Sequence, residues 1–529
     1  MSLDRSSPFA YDAHRWINRH AKWLALVSGA VLPLAFAPLN LWPIAILSLV
    51  GYWLAIAQCA RKRTAFLIGW LFGVGFWGSG VSWVYVSIQE FGYMPMPIAA
   101  AITCAFIASL SLLHGLQTLL IVHFAPNANH RAAITPPIWV LMEWLRTWLL
   151  SGFPWLFMGY TATATPLIYF SQWTGVYGVS LIVVGLAVAL GWIIHKSIVT
   201  RRSLRHLVPW TLAVAGITVT GHQLKSMEWT KPTGAAVRFS LVQPNINQHL
   251  KWDPNYRLPT LHFLTELSSN QLADVDVLVW PEAALPDFFQ NEQTFVNDTL
   301  TTLAPHNTTL ITGALSAHQS QPAQNPPAPP TIFNSIYSLG SGSGVYHKTR
   351  LVPFGEYVPL ENWIRGVAPF FDLPMSSIHA GPPGQDTLKD GQGHTYAPLI
   401  CYEVVYPDLV ASLSQQANFL ITLSNDAWFG ESWGPLQHFE MAQVRAIETG
   451  KPLIRATNTG LTAIVDHTGE IVAQAPRFTR TQLHGAIEPR TGTTPFAKLG
   501  SWPTLLLCAL LIGFIVRRSH KRHLKAPHR

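Results

Sequence analysis

The chain has 529 residues, of which 49% are hydrophobic and only 12% charged, with 21 tryptophans and a mean hydropathy of +0.23. Such a length exceeds one ordinary soluble domain, and a charged share about half the usual one excludes a chain that is water-soluble throughout. The net charge of +8 does not mark a nucleic-acid binder, because the basic residues sit at the ends of apolar segments, where membrane topology puts them.

A membrane span needs about 20 mostly apolar residues. Eight segments read as spans: 23–38, 42–59, 64–87, 97–124, 136–151, 171–194, 207–223 and 501–516. The fifth carries Glu143 and Arg146, which are costly in lipid unless paired, and a pair between helices is expected. Arg5, Arg15, Arg19 and Lys22 precede the first span, and Arg61, Lys62 and Arg63 follow the second. Arg131 follows the fourth, and Lys196, Arg201, Arg202 and Arg205 follow the sixth. The alternate loops, around Asn40, 89–96 and 151–167, hold no Lys or Arg. This asymmetry puts both termini in the cytoplasm. Ala35-Phe36-Ala37 mimics a signal-peptidase site, but Pro38 opposes cleavage, so an uncleaved first helix is expected.

From Ala236 onward the pattern changes to short β-like runs alternating with amphipathic helices. Strands are expected at 237–242, 275–280, 309–313, 336–339, 345–347, 397–401, 419–423, 453–457 and 461–465. Helices are expected at 254–269, 292–303 and 437–448, and the Pro-rich stretch 316–330 reads as an extended or disordered loop. Strands alternating with helices indicate an α/β sandwich. The resulting organisation is a seven-helix bundle over 1–225, a globular domain over 230–495, a last helix over 500–518 and a basic tail over 519–529. Lying between the seventh and eighth spans, the globular domain faces outward, which in a Gram-negative cell is the periplasm.

Cys59, Cys104 and Cys508 lie in apolar runs, and Cys401 alone lies in the globular stretch. That domain therefore has no internal disulfide partner, and a lone cysteine in an enzyme domain is a nucleophile candidate. Three segments deliver an ionisable residue at the end of an apolar strand, which is where α/β folds build sites. Val277-Leu278-Val279-Trp280-Pro281-Glu282 brings a carboxylate, Tyr346-His347-Lys348 an amine, and Pro398-Leu399-Ile400-Cys401-Tyr402-Glu403 a thiol. Each signal alone is weak, since strand-end charges are usually just solvated and a strand cysteine is more often structural. No histidine shows metal-ligand spacing such as HExxH, and no phosphate-cradling glycine loop occurs, so no metal or cofactor is expected.

Together these three residues resemble the Glu-Lys-Cys set of the nitrilase superfamily. Val352-Pro353-Phe354-Gly355-Glu356-Tyr357-Val358-Pro359 is similar to that family's second-glutamate motif, and Ser424-Asn425-Asp426-Ala427-Trp428-Phe429-Gly430 to the segment after the nucleophile strand. With the eight spans, the resemblance narrows to the apolipoprotein N-acyltransferase family. It extends to Glu143-Trp144-Leu145-Arg146, Gly152-Phe153-Pro154-Trp155, Gln243-Pro244-Asn245-Ile246 and Lys251-Trp252, and so covers nearly the whole chain. It implies eight transmembrane helices plus a nitrilase-like αββα sandwich.

The implied reaction is ping-pong. Cys401 takes an acyl chain from a phospholipid, with the sn-1 position of phosphatidylethanolamine as the expected donor, and passes it to the α-amino group of a lipoprotein's diacylglyceryl-cysteine. In such a scheme Glu282 serves as general base, Lys348 holds the oxyanion, and Glu356 orients Lys348 or the incoming amine. Trp252, Tyr402, Trp428, Phe429 and Trp433 would line the lipid site or pack in the core, and Glu403 would stabilise the site or touch headgroups. The same residues would also serve a membrane-anchored nitrilase-type amidase, with water replacing the amine.

Overall fold

The computed structural model describes residues 8–200, 203–269, 272–318, 330–353, 355–357 and 377–524. The chain divides into two units. One is helical, made of Met1–Ile88, Pro95–Met227 and Ser501–Arg529; the other contains Gln89–Met94 and Glu228–Gly500.

In the helical unit a helix stands at each of the eight expected segments: Pro8–Val31, Trp42–Ile56, Lys62–Gly80, Met96–Phe124, Ala128–Leu145, Ser171–Thr200, Leu207–Lys225 and Trp502–Leu524. Span-like length and apolarity are narrower properties. They belong to three stretches among the described residues, Met96–Phe124, Pro166–Ile198 and Trp502–Ser519. Lys62–Gly80 and Val84–Phe91, bent by 65°, make a fourth if the pair is one span. Trp42–Ile56 is apolar but has only 15 residues. At 1.5 Å per residue it reaches roughly 22 Å, short of a hydrocarbon core about 30 Å thick. Charge dilutes others: Pro8–Val31 carries Asp12, Arg15, Arg19 and Lys22.

Small residues let these helices meet closely, as helices packed in lipid require. A Cβ on Gly69 would run into Thr118 and the carbonyl of His114 on Met96–Phe124. Glu143 and Arg146 do pair, at 3.9 Å, but at one helix end three residues apart rather than between helices. Glu143 also accepts from Trp139 Nε1 at 2.9 Å and the Met158 amide at 2.7 Å, and Arg146 donates to the Trp155 carbonyl at 3.2 Å. The charges are thus matched internally.

The second unit is built on two six-stranded sheets. Its strands are β1 (Val237–Gln243), β2 (Val277–Val279), β3 (Thr309–His318), β4 (Thr331–Gly340), β5 (Val345–His347), β6 (Leu388–Lys389), β7 (Thr395–Ile400), β8 (Phe419–Ser424), β9 (Leu453–Thr457), β10 (Ala463–Val465), β11 (Ile471–Gln474) and β12 (Thr481–Ile487). The first sheet runs β12-β1-β2-β3-β4-β5 and the second β11-β10-β9-β8-β7-β6. Each has the same plan: a parallel triple, β1-β2-β3 or β7-β8-β9, flanked by antiparallel strands.

Between the sheets lies one apolar core, with Val237, Phe239, Leu241, Val277 and Val279 from the first facing Tyr396, Ile400, Phe419, Ile421 and Leu423 from the second. The outer face of the first sheet is covered by helices Arg257–Ser268 and Gln293–Leu303, through Leu261, Leu264, Val296 and Leu303 on Leu278 and Trp280. Helices Pro407–Ser414 and Gly434–Thr449 belong to the second sheet's side. The layers are therefore αββα. Strands buried on both faces read as continuous apolar runs, and that is how β2 and β8 look in the sequence.

The expected loop at 316–330 is partly strand. β3 continues through His318 and β4 starts at Thr331, while residues 319–329 lie outside the described residues. So do Phe354, Val358 and Pro359 of the second-glutamate motif, and residues 525–529 of the basic tail.

Candidate active site

Glu282 follows β2, Lys348 follows β5, and Cys401 follows β7. The first two leave one sheet and the third leaves the other, and the three groups are close enough to interact electrostatically. The turns there are tight. Cys401 has φ +50° and Ala283, next to Glu282, has φ +44°. Side-chain-bearing residues in the left-handed region cost about 1–3 kcal/mol each and persist only where surroundings enforce them. Gly313 on β3 leaves room for the Glu282 turn, since a Cβ there would sit 2.7 Å from the Glu282 Cα and clash.

Lys348 Nζ lies 2.7 Å from Glu356 Oε1 and 3.7 Å from Glu282 Oε1, with its side chain 1% exposed. Asn334 on β4 spans the two carboxylates, its Nδ2 donating to Glu282 Oε1 at 2.8 Å and to Glu356 Oε1 at 3.2 Å. Glu356 is fixed further by the Val352 amide at 2.8 Å. Burial alone would lower the Lys348 amine, but the Glu356 and Glu282 carboxylates and Cys401 outweigh it and hold the ammonium well above its ordinary value. Burial, and next the Glu282 carboxylate, push the Cys401 thiol well up, with Lys348 pulling the other way by less. At rest the group is therefore a thiol, and to act as a nucleophile it would need a nearby base to take its proton.

Lys251, quoted above only as part of a motif, is a further cation here. It is 4% exposed, and its Nζ donates to the backbone carbonyl of Glu282 at 3.2 Å. Burial brings its amine down to about 8, against the Glu282 and Cys401 charges.

The remaining expected residues separate. Glu403 is fully buried, and its carboxylate takes hydrogen bonds from Tyr346 Oη, the Thr349 amide and hydroxyl, the Arg350 amide and the Ile400 amide, at 2.7–3.1 Å. It ties the Lys348 segment to the Cys401 turn and has no face left for a headgroup. Tyr402 is buried with its ring 5.5 Å from that of Tyr406. Trp252, Trp428 and Phe429 are half-buried, and Trp433 is 38% exposed. Trp428 meets Phe91 edge-on at 5.4 Å. Among the described residues no group of three or more His, Cys, Asp and Glu could hold a metal ion.

Three functional-looking residues escaped the sequence reading besides Lys251. One is Asn334, which lies in the part of β4 that precedes the apolar run beginning at Ile336. The others are His438 and Arg455, which gather on Asp426 behind Cys401. A signal existed for Arg455: it interrupts the apolar run Leu453-Ile454-Arg455-Ala456.

Residues 28–189 match the apolipoprotein N-acyltransferase N-terminal domain, and residues 238–495 match the carbon-nitrogen hydrolase domain. An apolipoprotein N-acyltransferase of Azotobacter vinelandii is 38% identical over 97% of this chain and 99% of its own length. One from Vibrio parahaemolyticus is 40% identical over 91% of this chain and 94% of its own. A solved amidase from a Nesterenkonia species aligns at a TM-score of 0.32 and 14% identity, over 48% of this chain and 92% of that one. Matched along nearly its whole length, the chain belongs to the apolipoprotein N-acyltransferase family.

Proposed function

We propose that this protein is an acyltransferase that completes lipoprotein maturation, moving an acyl chain from a phospholipid through Cys401 to the amino terminus of a diacylated lipoprotein. The observation that carries the reading is the buried meeting of Cys401 with Glu282 and Lys348, in a chain related end to end to apolipoprotein N-acyltransferases.

Glu282 takes the thiol proton as Sγ bonds to the ester carbonyl carbon, and the oxyanion that forms faces the Lys348 ammonium. Collapse breaks the ester C–O bond. The lysophospholipid oxygen leaves with the proton from Glu282, and a thioester remains on Cys401. The lipoprotein α-amine then attacks that thioester, gives a proton to Glu282, and expels the sulfur, which regains the proton. Glu356 holds Lys348 in place, a role supported by the 2.7 Å contact. Phosphatidylethanolamine is the proposed donor, through its sn-1 ester. Trp252, Tyr402, Trp428 and Phe429 are proposed to flank the acyl chain.

The proposed setting is the bacterial inner membrane, crossed eight times, with both termini cytoplasmic and the sandwich in the periplasm. Support comes from the Lys/Arg distribution and from the helix at each expected segment. Within it, 1–225 form the seven-helix bundle, 230–495 the catalytic domain, 500–518 the last span and 519–529 the tail.

Mass spectrometry of the full chain in detergent tests this. With phosphatidylethanolamine, the wild type is expected to gain one acyl mass and Cys401→Ala none. A diacylated lipopeptide should then clear the mass and become N-acylated. Retention of the acyl mass in Cys401→Ala sinks the mechanism, and release as free acid in the presence of lipopeptide makes the protein a hydrolase.

A further inference from the structure

Behind Cys401 lies a buried polar cluster that the chemistry above does not use. His438, on helix Gly434–Thr449, is 1% exposed, as is Asp426, and Arg455 on β9 is fully buried. His438 Nε2 lies 3.2 Å from the carbonyl oxygen of Cys401. That oxygen only accepts, so Nε2 carries the hydrogen. On the other side of the ring, Nδ1 lies 3.1 Å from the Arg455 guanidinium, which only donates. Asp426 Oδ1 stands 3.1 Å from the same nitrogen and draws a proton to it, while burial and Arg455 oppose one there and lower the imidazole. The balance leaves a neutral ring with its hydrogen aimed at Cys401. Asp426 in turn is clamped by Arg455 at 2.8 Å and held ionised, its carboxyl brought down to about 2.

Two further points bear on this cluster. A buried ionic group adds little stability over apolar residues of the same size, so its presence asks for another reason. The backbone also makes room for it, since a Cβ on Gly460 would strike the Asp426 carboxylate. The carbonyl it holds belongs to a residue in the left-handed region, at φ +50°. In a planar trans peptide, fixing the Cys401 carbonyl also fixes the Tyr402 amide, which points the opposite way.

We infer that His438, braced by Asp426 and Arg455, is a positioning residue: it holds the carbonyl of Cys401 and so sets the direction from which the thiol meets the acyl carbon. This rests on the reading of Cys401 as nucleophile.

The test follows acyl-enzyme formation by rapid-quench mass spectrometry, using the full chain in detergent and phosphatidylethanolamine as probe. His438→Leu is expected to slow it about 10²-fold at saturating lipid, with the half-saturating lipid concentration unchanged, as for a misdirected reacting group. His438→Gln, which keeps an N–H donor at similar reach, should recover to within about tenfold of the wild type. Asp426→Asn should fall between. The inference is overturned if His438→Leu acylates at the wild-type rate, or if Gln is no better than Leu while both melt with the wild type. Should the Leu variant not fold, wild-type rates in Asp426→Asn overturn it equally. Acylation of Cys401→Ala, run alongside, would instead remove the nucleophile reading.

Discussion

Two glutamates stand at the ends of the two sheets, and their surroundings are opposite. Among the described residues, the Glu282 carboxylate accepts one hydrogen bond, from Asn334, and faces an ammonium at 3.7 Å. Glu403 is met by five donors from four residues and is wholly enclosed. A carboxylate whose lone pairs are occupied is a fastener, and one lightly bonded beside a thiol can accept a proton. On the proposed chemistry, Glu282 with Lys348 and Cys401 makes up a reacting end, and Glu403 is the fastening that ties the Lys348 segment to the Cys401 turn.

Glu282→Gln should show the largest effect on rate. Loss of the base is expected to slow acyl-enzyme formation about 10³-fold with little change in melting temperature. A variant that melts far below the wild type would break the contrast, because Glu282 would then be a fastener too. Glu403→Gln should act the other way. Its amide NH₂ would face backbone and hydroxyl donors, a buried mismatch of about 3 kcal/mol. Denaturant titration is expected to show that loss of stability, with activity falling only as the folded fraction falls. An unchanged unfolding midpoint with abolished acylation would overturn the assignment.

The smallest effect sharpens the picture at the reacting end. Lys251, with its amine near about 8, carries charge below that pH and loses it above. Since its charge favours the ionised Cys401 sulfur, acylation should decline a few-fold as pH rises through about 8. Lys251→Met should flatten that limb of the pH–rate profile, and a wild-type limb that survives the substitution belongs to another group. The same depressed amine affects stability with the opposite sign. The native state bears the cost of a buried charge below about pH 8, and that cost is relieved as pH climbs toward the unfolded value of about 10.4.

The reacting end was the more legible of the two. Glu282, Lys348 and Cys401 each terminate an apolar run, so the run and its abrupt end announced them. Glu403 apart, the residues that brace the site were hard to read because they sit inside elements rather than after them. His438 lies within a helix and Arg455 within a strand, and a buried polar residue there looks like any interruption of a pattern. β11 and β12 were missed for a different reason. Their side chains are largely exposed or half-buried, so no apolar run marks them, and β12 exists because it pairs with β1 across more than two hundred residues of chain. The helical segments were found by length and apolarity, whereas the bend between Lys62–Gly80 and Val84–Phe91 left no trace in hydropathy.

That long-range pairing has a companion. Thr230–Pro232 lies antiparallel to Arg490–Gly492, and the Arg490 guanidinium bonds to Thr230 while Lys451 Nζ holds the Arg490 carbonyl at 2.9 Å. The two places where the chain passes in and out of the sandwich are thus one strand spacing apart, about 5 Å. For the helical chain, the whole sandwich is an insertion of the size of a hairpin turn, closed at its neck before either sheet is considered. Lengthening a loop inside it would leave the neck untouched.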